Sequence, residues 1–115
     1  MKKLALLISV IVMSITIQAQ HNLSGTILSK TDGVPVEMAT VRLFAYQQTA
    51  QGTDSTLVQG AQTTYDGIFI LSNIRQGEYK LIISSVGFNE VIKEVKMPNA
   101  NLDLPTIRLT EQVQH

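Results

Sequence analysis

The only histidines in this 115-residue chain, His21 and His115, stand near its start and at its last residue. A metal site needs several donors converging at bonding distance, and neither histidine has a carboxylate or a second imidazole at ligand spacing. Ser84 and Ser85 could act as nucleophiles, but no histidine falls within the segments around them to serve as base. The acids Asp54, Asp66, Glu78 and Glu90 are scattered, with no pair spaced to share a substrate as general acid and base. Gly52, Gly60, Gly67 and Gly77 open no helix whose amides could cradle a phosphate. The sequon Asn22-Leu23-Ser24 is short enough to arise by chance. The expectation is a chain with no catalytic, metal or cofactor site, whose polar residues serve turns and surface.

Bulk properties narrow the partners. Nine basic residues balance nine acidic ones, so no net field gathers nucleic acid or anionic lipid, and aromatics at 5% are too sparse for a base-stacking platform. The absence of cysteine excludes both a lipid-bearing cysteine and a disulfide framework, so the fold must rest on core burial and strand pairing. Lys2 and Lys3 followed by the apolar run Leu4 to Ile17 and the small residue Ala19 predict an export signal spanning residues 1–19, cut after Ala19. That run falls short of the about 20 apolar residues that cross a bilayer, so no membrane insertion of the mature chain is expected. Residues 20–110 are then one domain and residues 111–115 a tail.

The elements that must position these residues read as strands. Alternation places Leu23, Gly25 and Ile27 on one face, then Ala39, Val41, Leu43 and Ala45 on one face with Thr40, Arg42 and Phe44 on the other. Asp32-Gly33 reads as a turn, and Pro35, lacking a donor, marks a sheet edge or crossover. Gln47 to Ser55 holds nothing apolar larger than alanine and reads as a solvated loop. Asp66-Gly67 predicts a tight hairpin that makes its two flanking strands antiparallel neighbours. Phe69 and Leu71 share one face and Ile68 and Ile70 the other, predicting a central strand covered on both sides. Gly77 turns the chain after Ile74, Tyr79, Leu81 and Ile83 share a face, and Gly87 breaks the run before Phe88. Two further strands follow, around Glu90 to Met97 and Leu104 to Leu109. The sum is all-β: a seven-stranded antiparallel β-sandwich with Greek-key wiring.

Gly25 in "LSGTI", Gly33 and Pro35 before "ATVRL", then "DGIF", "GEYKL" and "SSVGF" occur in order, from about Leu23 to Leu109. This ordered set resembles the carboxypeptidase regulatory-like domains, a transthyretin-like sandwich family. The matching positions are Gly25, Gly33, Pro35, Asp66, Gly67, Phe69, Gly77, Tyr79, Leu81, Gly87 and Phe88. The segment "DSTLVQGAQTTYDGIF" is most similar to the copies that precede the plug and barrel of TonB-dependent outer-membrane receptors. The resemblance implies a non-catalytic accessory domain in the periplasm or on the periplasmic face of the outer membrane. Its implied partners are proteins there, either the receptor's own plug and barrel or the energy-transducing system. A plug and barrel are absent from this chain, which leaves a second expectation: a free-standing exported module binding carbohydrate or protein, with Tyr46, Tyr65 and Phe88 as its aromatic candidates.

Overall fold

The computed structural model describes residues 21–112, so the predicted export signal lies outside the described residues. Eight strands form two sheets: β1 (His21–Ser29), β2 (Thr40–Thr49), β3 (Gly52–Gln62), β4 (Ile68–Ile74), β5 (Gly77–Ser84), β6 (Val91–Met97), β7 (Leu102–Asp103) and β8 (Ile107–Leu109). One sheet runs β4-β1-β7 with β8 also on β1, and the other runs β3-β2-β5-β6. Non-consecutive strands are neighbours in both sheets, β1 with β4 and β2 with β5, the crossing pattern expected of Greek-key wiring.

The core lies between the sheets and is built from the faces that alternation identified. Leu23, Ile27, Val41, Leu43, Leu81 and Ile83 are fully buried, as are Phe69, Leu71 and Ile74 from β4. Gly25 sits opposite Phe69 in the β1–β4 register, and a β-carbon at Gly25 would lie 2.7 Å from the Phe69 ring. Glycine at this position lets the ring pack directly against the β1 backbone. The buried Thr63 hydroxyl accepts from the Ala39 amide at 2.8 Å and donates to the Val36 carbonyl at 2.6 Å, tying the proline-containing crossover to the end of β3.

Five sequence expectations change. Gln47 to Ser55 is no loop: β2 and β3 pair through Thr49 and Gly52, with Ala50 and Gln51 as the reversal. Pairing of β2 with β5 reaches only Ala45 and Tyr79, so the outer part of this hairpin has no third strand and is exposed. Alternation failed there because neither side of the ribbon is buried.

The Asp66-Gly67 turn exists, with Gly67 at φ 77° and its amide bonded to the Thr64 carbonyl at 2.9 Å. The strands it joins are not neighbours, however, because β3 belongs to one sheet and β4 to the other. It is a corner, closed by the Thr64 amide on the Ile68 carbonyl at 3.0 Å and by the Ile27 amide on the Gly67 carbonyl at 2.7 Å. In consequence β4 is an edge strand and not a central one. Phe69 and Leu71 face the core, while Ile68 and Ile70 face outward and are exposed.

The pairing is antiparallel throughout except at the end of the chain, where β7 and β8 run parallel to β1. Of the predicted last strand, Leu104 to Leu109, only Ile107–Leu109 forms a strand, β8; β7 at Leu102–Asp103 was not foreseen and is set off from it by Pro105, which cannot donate to a ladder. The sandwich therefore has eight strands where seven were expected, the extra one being the two-residue β7.

Candidate functional site

The residues of the family-like pattern collect at three places. Gly33, Pro35, Asp66, Gly67, Gly87 and Phe88 lie at one end of the sandwich, in the turns that close it. Gly33 has φ 71° and donates to the Ser29 carbonyl at 2.9 Å, while Pro35 bridges to Leu28. A β-carbon at Gly67 would strike the Ile27 carbonyl and sit 3.2 Å from Pro35, so this turn is wedged against the crossover. Gly25, Phe69 and Leu81 are core packing. Gly77 and Tyr79 lie at the opposite end, where the Tyr79 hydroxyl donates to the Arg75 carbonyl at 2.8 Å and fixes the β4–β5 connection. Each of these positions lies in a turn, at a connection or in the core.

The turn-bearing end carries an open cleft of about 400 Å³ between the Asp32–Met38 crossover and the Ser85–Phe88 loop. Val34, Met38 and Val86 are exposed on its walls, and Met38 holds the left-handed conformation at φ 62°. Glu111 reaches into it, accepting from the Ser29 hydroxyl at 3.4 Å. The chain beyond β8 closes the floor: the Asn89 amide bonds the Thr110 carbonyl at 2.8 Å and the Gln112 amide bonds the Gly87 carbonyl at 2.9 Å. Among the described residues, no group of three His, Cys, Asp or Glu could hold a metal ion.

The outer face of the β3-β2-β5-β6 sheet is the other candidate. Register aligns Ile92, Ile82, Arg42 and Gly60 in one row and Glu94, Lys80, Phe44 and Leu57 in the next. The Arg42 guanidinium lies 5.9 Å from the Phe44 ring centre and the Lys80 ammonium 5.8 Å from that of Tyr46, so one cation stands over each ring. Arg42 also reaches Glu90 at 3.9 Å, while its buried Nε has no partner among the described residues. Glycine at position 60 leaves the space beside Arg42 free of any side chain.

The three aromatics singled out from sequence do not converge. Tyr46 is on this face near the ribbon, Phe88 packs against the core at the far end, and Tyr65 is exposed on the corner turn. Phe44 was the missed residue; its alternation with Val41 and Leu43 already placed it outward beside Tyr46.

A family model described as a carboxypeptidase regulatory-like domain matches residues 22–110. No curated protein matches the sequence. Among solved structures, the group B streptococcus pilus 2b backbone protein superposes with a TM-score of 0.60 at 13% identity, over 80% of this chain and 41% of that one. The shaft pilin SpaA of Lactobacillus rhamnosus GG, as a mutant, gives 0.57 at 12%, over 84% and 47%. Catechol 1,2 dioxygenase of Acinetobacter radioresistens gives 0.61 at 10%, over 84% and 53%. The chain thus spans about half or less of each of these proteins, and at such identities the likeness is one of fold. Pilus subunits and a dioxygenase sharing one sandwich means that the scaffold itself carries no particular chemistry.

Proposed function

From the premise that the chain belongs to the carboxypeptidase regulatory-like domain family, we propose that it is a non-catalytic, exported β-sandwich module acting through protein contacts. The observation that carries this reading is the use made of the family-like residues: Gly25 and Phe69 inside, Gly33, Pro35 and Gly67 in turns, Tyr79 bonded to the backbone. A pattern spent wholly on scaffold leaves the surface to supply function, and a surface of turns and sheet faces supplies binding. The finer reading is an accessory domain of a TonB-dependent nutrient-uptake receptor, held in the periplasm beside the outer membrane. Its support is the likeness of Asp54 to Phe69 to the copies in such receptors, together with the basic and apolar start of the chain.

Two measurements test it. Intact mass of the protein recovered from the periplasm should correspond to loss of Met1 to Ala19, and a retained apolar segment would refute the reading as a cleaved, soluble module. The coding sequence downstream of the His115 codon should encode a plug and many amphipathic strands of about ten residues each. Neither there nor in a neighbouring gene would be the result that favours a free-standing binding module. For that second reading, the outer sheet face favours protein over carbohydrate. Sugar stacks on open aromatic faces, whereas Phe44 and Tyr46 each have a cation, Arg42 or Lys80, competing for the ring.

A further inference from the structure

The two sheets have four lateral edges, and three of them carry features that deter a further strand. Along β4, the Gln59 side chain donates to the Ser72 carbonyl and accepts from the Ser72 amide, both at 2.9 Å, so one carboxamide stands where a neighbouring strand's peptide group would be. Next to it, Thr64 occupies both the amide and the carbonyl of Ile68. Along β6, Lys93, Glu94 and Lys96 put charge on a short strand, the usual deterrent to edge pairing. The β7–β8 edge is two short pieces separated by Pro105.

The edge of β3 has none of these devices. It is the longest strand, and from Gly52 to Val58 it carries no proline and no lysine, with Asp54 as its single charge. Alternate residues of an edge strand turn their amides and carbonyls away from the neighbour. Among the described residues, none bonds to those groups between Thr53 and Val58. Val58 ends the flat stretch, because Leu43 and Phe44 pair with Gln59 and Leu57 and leave it as a bulge. Leu57 and Val58 are exposed there.

A row of unpaired main-chain donors and acceptors is matched by one kind of surface, another extended chain. We propose that the Thr53–Leu57 edge is a homodimer interface, at which two copies join antiparallel through β3 to make one continuous sheet across both molecules. The sequence fits such a two-fold when the axis passes through Ser55. Thr53 then faces Leu57 and Asp54 faces Thr56 of the other copy, and no like charges meet. An axis at Asp54 would set two carboxylates face to face, and one at Thr56 would run into the bulge at Val58.

Sedimentation of the purified protein up to about 1 mM, the weak limit of specific association, should show a monomer–dimer equilibrium. Hydrogen exchange of the unmodified protein should show amides in the Thr53–Leu57 stretch slowing as concentration rises. Ser55→Lys and Ser55→Asp should each weaken association several-fold by placing like charges opposite one another, and mixing the two variants should restore it as a heterodimer. A monomer at every concentration, protection that rises on another strand, or variants that mix no better than they self-associate would each overturn the interface. The exchange experiment needs no variant, so it stands even where a substitution unsettles the ribbon.

Discussion

Two glycine turns flank β3, and they behave oppositely. At its start, Gly52 follows a polar reversal with open space around it, and the strands on either side stay paired for the length of a hairpin. At its end, Gly67 is pressed against the Ile27 carbonyl and Pro35, and the strands on either side part into different sheets. The Asp-Gly pair is the stronger hairpin signal, yet it makes the corner. A turn fixes a local reversal; whether its strands remain together depends on where each buries its apolar face. Phe69 and Leu71 turn into the core from the β1 side, while β3 follows β2 on the opposite side.

The contrast can be broken by substitution. Phe69→Ala removes the ring packed against β1 at Gly25 and should cost about 3 to 5 kcal/mol in denaturant unfolding, a large part of the stability of a domain this size. A loss below about 1 kcal/mol would place Phe69 at the surface. Gly67→Val forces a branched residue into a positive φ and into the Ile27 carbonyl, and about 3 kcal/mol should be lost. Gly52→Ala meets strain at φ 124° but no neighbour, so about 1 kcal/mol is expected. Equal losses at the two glycines would mean that the corner is no more constrained than the ribbon tip.

The sequence was legible where one face of a strand is buried and the other is not. Leu23, Gly25 and Ile27, Val41 and Leu43, and Tyr79, Leu81 and Ile83 all face as alternation predicts. It was illegible where both faces meet water, since the ribbon from Gln47 to Ser55 is polar on each side and imitates a loop. It misled at β4, because exposed Ile68 and Ile70 beside buried Phe69 and Leu71 imitate a strand covered twice. The parallel pairing of β7 and β8 has no local signature at all, as direction relative to β1 is decided by the path of the whole chain. Of the candidate surface, the outward placement of Arg42 and Phe44 on β2 followed from period alone, but the cation over Tyr46 comes from Lys80 on β5 and depends on register between the two strands.

That parallel pairing also sets how the molecule bears tension. Because β1 and β8 run the same way, a pull between Asn22 and Gln112 loads the bonds along β1 sideways and together, from the Leu104 amide on the Ser24 carbonyl to the Lys30 amide on the Leu109 carbonyl. An antiparallel terminal pair pulled in the same way would open one bond at a time. Rupture under force is governed by the barrier to unfolding and not by equilibrium stability, so this arrangement makes the sandwich mechanically stiffer than a core with no disulfide to reinforce it would suggest.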